Sequence, residues 1–160
     1  MIQTTRCKLT IVQNDDWQLV MNLYTNARVR YFLGGIVDLQ NTRSKFLRML
    51  ESDLNTKHWV VRVKENKFCA GIGVVSLNKH HNNIDTEISY QLLPEWWNKG
   101  YGTEVVKTVV NRALTFYNLP RVIAETQIAN TASCRLLKNI GMDLEQIVER
   151  FGAKQGIFST

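Results

Sequence analysis

Leu93-Pro94-Glu95-Trp96-Trp97-Asn98-Lys99-Gly100-Tyr101-Gly102-Thr103-Glu104 joins two runs of different period. Before it, Ile84, Thr86, Ile88, Tyr90 and Leu92 alternate with Asp85, Glu87, Ser89, Gln91 and Leu93, the pattern of a strand. After it, Val105, Val106, Val109, Val110, Ala113, Leu114 and Tyr117 recur once per turn, the pattern of a helix. A loop that leaves a strand and opens a helix presents free backbone N–H groups, and the helix dipole adds about half a positive charge there. Gly100 and Gly102 remove side chains that would hold a ligand off, Lys99 adds a cation and Thr103 a hydroxyl. Such a place suits a phosphate or pyrophosphate. Gly-x-Gly is also what tight turns use on their own. Lys99 precedes the first glycine and no Gly-Lys-Ser/Thr follows, so this is no Walker loop. The preceding strand is one of an antiparallel set and no third glycine follows, which argues against a dinucleotide fold.

Outward from this junction the chain reads as one domain over residues 1–160. Arg6 to Gln13 reads as a strand. Asn14-Asp15-Asp16 offers caps to a helix carrying Trp17, Val20, Leu23, Tyr24 and Ala27. Asn41 is placed to cap a second helix with Phe46, Leu47, Leu50 and Leu54 on one stripe. Strands follow at 58–63 and 68–77, joined by the turn at 64–67, and with 84–93 they form an antiparallel meander. Gly71 and Gly73 mark a bulge or a close approach. Lys79-His80-His81 reads as a polar hairpin tip. Beyond the central helix, ended at Asn118-Leu119-Pro120, come a strand at 121–126 and a helix capped by Asn130 and closed by Gly141. Strands at 142–151 and 156–159 end the chain. The class is α+β with a mixed central sheet.

Composition narrows the function. The 160 residues suffice for a substantial core, and 44% hydrophobic with 21% charged residues is ordinary for a globular protein. No apolar run reaches membrane-spanning length, and the N-terminus carries no secretion signal. Twenty basic against fourteen acidic residues leave a net charge of +6, which attracts nucleic acid or a small polyanion alike. The basic residues are scattered, so nucleic acid is not the expected partner. Cys7, Cys69 and Cys134 lack metal-ligand spacing and read as free thiols in a reducing cytoplasm, with Cys134 the one thiol near the motifs. No metal site is expected.

Trp97-Asn98-Lys99-Gly100-Tyr101-Gly102 resembles the acetyl-CoA pyrophosphate loop of the GCN5-related N-acetyltransferase (GNAT) family. That family carries Gln or Arg, two residues, Gly, one residue, then Gly or Ala. Trp97 stands in the Gln/Arg place, as is common in the ribosomal-protein-alanine acetyltransferase (RimJ/RimL-like) branch, and Asn98 replaces that branch's Gly. Asn130-Thr131-Ala132-Ser133, Leu136-Leu137 and Asn139-Ile140-Gly141-Met142 resemble the family's Asn-x-x-Ser... Gly-Phe helix. Asp85 to Trp97 is similar to the branch's Glu-Ile-Gly-Tyr-x-Leu-x-Pro strand. The resemblance runs over nearly the whole chain in order and implies the GNAT fold: an antiparallel meander, then β-α-β-α-β-β.

It also implies transfer of an acetyl group from acetyl-CoA to a primary amine by direct attack in a ternary complex. The backbone of Gln91, Leu92 and Leu93 would pair with the pantetheine arm. The N–H groups of Asn98, Lys99, Gly100, Tyr101, Gly102 and Thr103 would take the pyrophosphate, and Asn130 the pantetheine end, alone or along with its cap role. Glu87 is the expected base, set against an ordinary strand carboxylate, with Asp85, Glu125, His58, His80 and His81 as lesser candidates. The family's usual tyrosine acid falls at Leu137. Ser133 then becomes the donor to the departing thiolate, unless it is only a capping serine, and Tyr90 and Tyr101 are alternatives. Trp59, Trp96 and Trp97 are either acceptor-pocket walls or core. The acceptor can be a protein N-terminus, a small amine or an antibiotic, and monomer and homodimer both stay open. The rival readings are a non-catalytic acyl-CoA-binding module and a nucleic-acid-binding domain.

Overall fold

The computed structural model describes residues 1–51, 53, 56–65 and 70–160. Leu54 and Cys69, named above, and positions 66–68 of the expected turn and strand lie outside the described residues. The elements run β1 (Ile2–Gln3), β2 (Cys7–Ile11), α1 (Trp17–Thr25), α2 (Ala27–Arg30), α3 (Leu39–Leu50), β3 (Lys57–Val63), β4 (Gly71–Lys79), β5 (Thr86–Leu92), α4 (Tyr101–Thr115), β6 (Val122–Gln127), α5 (Thr131–Asn139), β7 (Asp143–Arg150) and β8 (Ala153–Ser159). Short 3-10 turns at Asn14–Asp16 and Pro94–Trp96 precede α1 and α4. The strands form one eight-stranded sheet in the order β1-β2-β3-β4-β5-β6-β8-β7. Every pairing is antiparallel except β5 with β6.

Two cores sandwich the sheet. Behind it, Val105, Val106, Val109, Val110 and Ala113 of α4 and Leu137 of α5 meet Ile88 and Leu92 of β5, Val122 and Ala124 of β6, and Phe158. Valine is a middling helix former, costing up to ~0.7 kcal/mol per residue. Full burial returns roughly 1.5–3 kcal/mol for each such side chain, so packing decides that this segment is helical. In front, Leu19, Val20 and Leu23 of α1 and Phe46 and Met49 of α3 cover Val60 of β3 and Val74 of β4.

Local chemistry shifts several boundaries. Asp38, not Asn41, caps α3: its carboxylate accepts the Asn41 N–H at 2.9 Å, so Asn41 falls inside the first turn. Ile84 is 84% exposed and outside β5, because the Asn82 side chain accepts the Ile84 and Asp85 N–H groups and folds that stretch into a turn. The closing hairpin turns through Phe151 and Gly152, both at positive φ, and so β8 begins at Ala153. The register of β3 against β4 slips between Val61 and Arg62, opposite Gly71 and Gly73. A Cβ on Gly73 would stand 2.3 Å from the Gln91 carbonyl oxygen. Bulge and close approach therefore both occur there.

The feature that positions the site is a fork. β4 follows β5 from Lys79↔Thr86 to Gly73↔Leu92, but β6 pairs with β5 only at Thr86↔Val122 and Glu87↔Ile123. Beyond Glu87 the parallel strands part, leaving one edge of β5 without a strand partner among the described residues.

Candidate active site

The loop into α4 is built from backbone. Asn98 (φ 56°) and Gly100 (φ 79°) both take the left-handed conformation, and Gly100 is the helix N-cap. A glycine cannot cap with a side chain, so the first N–H groups of α4 have no side-chain acceptor. The loop is braced by residues from the far N-terminus. The Arg6 guanidinium donates to the Lys99 carbonyl at 2.9 Å and to Glu104 at 2.7 Å, and stacks 4.3 Å from the Tyr101 ring centre. Glu104 also accepts from the Arg6 N–H and the Thr4 hydroxyl. The two glycines do different work. Gly100 supplies the left-handed turn under Arg6, whereas a Cβ on Gly102 would point inward, 3.1 Å from Leu136. Lys99 turns back, its ammonium donating to the Glu95 carbonyl at 2.7 Å.

Hydrogen-bond direction along the open edge of β5 follows from one bond. The Leu93 N–H donates to the Ile72 carbonyl on the β4 side at 2.9 Å. Alternation then turns the backbone of Gln91 and Leu93 towards β4 and that of Tyr90 and Leu92 towards the fork. The Leu92 carbonyl already accepts from the Trp97 indole at 2.7 Å. Of the expected trio Gln91, Leu92 and Leu93, only Leu92 has its backbone at the gap, and Tyr90 joins it. The Gln91 side chain projects forward to Tyr24.

Glu87 sits at the apex of the fork, on the front face. Its carboxylate accepts the Glu125 backbone N–H, which lies past the last rung of the β5–β6 ladder. Burial raises its pKa above the usual carboxylate range and the nearby Glu125 charge adds to this, while the Glu125 N–H and Arg150 pull the other way. His80 does not sit in a solvated tip. It is 3% exposed, and its Nε2 meets Glu125 Oε2 at 2.6 Å, with Arg150 Nη1 on the same oxygen at 3.1 Å. Asn82 N–H donates to His80 Nδ1, so Nε2 carries the proton towards Glu125. Asp85 is engaged by Arg121 and Asn82 and held at about 2, which leaves it no role as a base. His58 is buried against Ser76 at 2.7 Å, and burial lowers its pKa.

Behind the fork, Asn130 caps α5 by accepting the Ser133 N–H at 3.2 Å. The Ser133 hydroxyl lies 2.7 Å from that of Tyr90. Burial pushes the Tyr90 phenol up to about 12, against a smaller opposing effect of Ser133. Leu137 is fully buried in the rear core. Cys134 donates weakly to two carbonyls and burial raises its pKa, as it does for the fully buried Cys7. Trp59 is core at 2% exposure, and Trp96 and Trp97 pack against the core's edge.

With this geometry in place, residues 6–143 match the model of the acetyltransferase (GNAT) domain. The chain belongs to the GNAT family. It is 25% identical over 164 aligned positions to the uncharacterized N-acetyltransferase YoaA of Bacillus subtilis (strain 168), covering 97% of this chain and 89% of that one. Among solved structures it resembles the acetyltransferase of Agrobacterium tumefaciens C58, with TM-score 0.86, 19% identity and coverage of 99% and 92%. It also resembles the spermidine N-acetyltransferase of Vibrio cholerae in complex with CoA and spermine, with TM-score 0.79, 17% identity and coverage of 97% and 94%.

In this GNAT acetyltransferase the structure brings several of the sequence motifs near one another. Glu87, Leu92, the 98–103 loop, Asn130 and Ser133 all border the fork or the start of α4. Sequence reasoning missed Arg6 and Glu104, which brace the loop, and the joining of His80 to Glu125. Their only sequence signal is a charged or polar residue in an otherwise readable element, with the partner 98 or 45 positions away. Tyr90 was legible only as an alternative donor, because its pairing with Ser133 spans 43 positions.

Proposed function

We propose that the chain, as one GNAT domain over residues 1–160, transfers an acetyl group from acetyl-CoA to a primary amine by direct attack in a ternary complex. We place it in the RimJ/RimL-like branch and in the cytoplasm. The observation that carries the reading is the fork: an open β5 edge with a carboxylate on one side, a hydroxyl pair on the other, and an uncapped helix N-terminus at its end. The spermidine N-acetyltransferase of Vibrio cholerae, solved with CoA and spermine, supports the amine class.

The N–H groups from Asn98 to Thr103 hold the pyrophosphate, and the pantetheine arm adds to the Tyr90 and Leu92 edge as a strand would. Glu87 takes one proton from the acceptor ammonium, which frees its lone pair. The C–N bond forms as the C–S bond breaks, and a second amine proton ends on the departing sulfur. Glu87 then returns its proton to solvent. Tyr90 donates to the Ser133 hydroxyl, and Ser133 donates its own proton to the sulfur as charge develops. A phenol at about 12 keeps its proton beside a thiolate whose conjugate acid ionises near ~8.5, so Tyr90 is a hydrogen-bond donor and not the acid.

The test is acetyl-CoA-dependent thiol release against amines and peptides, with desulfo-CoA titrated calorimetrically. Turnover with at least one amine and CoA binding is the expected result. CoA binding without turnover would convert the reading to an acyl-CoA-binding module, and absence of both would end it.

A further inference from the structure

One carboxylate oxygen at the fork has no hydrogen-bond partner among the described residues. Glu125 lies on β6 just past the last rung with β5, on the same face as Glu87. Its side chain is only 7% exposed. Oε2 is doubly engaged, by His80 and Arg150. Oε1 is buried and has no hydrogen-bond partner among the described residues. A buried, bare carboxylate oxygen is costly, and what it lacks is a donor. Gln91 Oε1, on the front face of β5, is buried with no partner among the described residues as well. Both orphans are acceptors.

We infer that Glu125 Oε1 is the acceptor-binding group: it receives the substrate nitrogen as an alkylammonium and presents it to Glu87. This rests on the acetyltransferase reading above and adds the substrate class. An ammonium brings three N–H donors and a positive charge to a place where two carboxylates face one arginine and a histidine. That balance leaves a deficit of positive charge which a cationic nitrogen fills. Alkylamines, with pKa near ~10.4, arrive fully charged at neutral pH, whereas peptide α-amines near ~8 do so only in part. His80 acts as the positioning residue, and Arg150 offsets the carboxylate charge at the same oxygen. By occupying Oε2, His80 holds the carboxylate and leaves Oε1 as the oxygen without a partner. Glu125 binds the cation, and the proton transfer belongs to Glu87.

The experiment is calorimetric titration of 1,4-diaminobutane into the full chain loaded with desulfo-CoA. 1,4-Butanediol serves as the uncharged control and an unblocked tripeptide as the α-amine control. The diamine is expected to bind, the diol not at all, and the tripeptide more weakly than the diamine. In E125Q the diamine affinity should fall at least tenfold while desulfo-CoA affinity stays within twofold. R150Q supplies a second arm with the opposite sign, since it unmasks carboxylate charge. It should tighten diamine binding, whereas a merely structural cluster would be weakened by either change, and it decides the matter should E125Q fail to fold. No diamine binding by the parent, unchanged affinity in E125Q, a tripeptide bound more tightly than the diamine, or loss of affinity in R150Q would each overturn the assignment. Desulfo-CoA binding in the same samples keeps that failure separate from failure of the acetyltransferase reading.

Discussion

Glu87 and Ser133 face opposite sides of the fork, and their substitutions separate cleanly. Replacing Glu87 by Gln keeps an acceptor for the Glu125 N–H but removes the proton acceptor. The kcat is expected to fall about 10²–10⁴-fold with desulfo-CoA affinity unchanged. The sign of the pH effect follows from the raised pKa. The carboxyl must be ionised to take a proton, so kcat/KM of the parent falls as pH drops through a value above the usual carboxylate range. That acid limb should vanish in E87Q. Ionising a buried carboxyl of raised pKa also costs stability above that pKa, so E87Q should melt no lower than the parent at pH 7. A variant with an unaltered pH profile would remove Glu87 from the chemistry. For the hydroxyl pair, S133A is expected to lose on the order of 10²-fold in kcat, as for loss of one preorganised donor. Y90F should lose less. The double variant should be no slower than S133A if Tyr90 acts through Ser133, and a full additive loss would make them independent donors.

At the scale of the element, the loop into α4 shows why two glycines with the same backbone strain have different consequences. Gly100 and Gly141 both hold positive φ, at 79° and 91°, each at one end of a helix. An Ala at either position costs roughly 1–2 kcal/mol in the left-handed region. Both G100A and G141A should therefore lower Tm, by roughly 2–8 °C in a chain of this size. Only G100A shifts the N–H groups offered to the pyrophosphate and crowds Arg6, 3.2 Å from the added Cβ. Desulfo-CoA affinity should fall about tenfold in G100A for each charged hydrogen bond lost, and stay unchanged in G141A. Equal affinities would take the loop out of cofactor binding. The contrast also shows what the sequence could convey. Hydrophobic period and the Gly-x-Gly junction are local, so α4, the β3–β5 meander and the loop were readable. The cap on α3 was misplaced by three residues, onto Asn41, because Asp38 and Asn41 are both good caps and only the path of the chain chooses. The edge offered by β5 was misassigned between Gln91, Leu93 and Tyr90, because strand phase is fixed by the bond to Ile72 and not by side-chain type.

Across the whole molecule, the least legible feature is how the two halves of the sheet are tied over the front face. The 80–85 loop looked like a solvated hairpin tip, since its residues are polar. Its ties reach distant elements instead: His80 to Glu125 on β6, Asp85 to Arg121 just before it, and His81 to Phe151 at the β7–β8 turn. Arg121 reaches on to Glu145 of β7. The strap thus joins the β4–β5 connection to the far edge of the sheet and holds the loop that carries His80. Its stability has a definite pH window. Hydrogen bonds from Arg121, foremost, lower the Asp85 carboxyl from 3.8 to about 2. A carboxylate depressed by folding stabilises the fold above its unfolded pKa, and that contribution drains away as pH falls through the folded one. The Asp85 contribution is therefore complete above about pH 4 and gone near pH 2. D85N should melt below the parent at pH 7, with the gap closing between those limits. Because the same loop holds Glu125, D85N should also weaken 1,4-diaminobutane binding at pH 7 while leaving desulfo-CoA binding intact. Thermal melts at stepped pH, paired with the two titrations, check both. A gap that persisted to pH 2 would mean that the substituted side chain disturbs packing and that the ion pair is not what holds the strap.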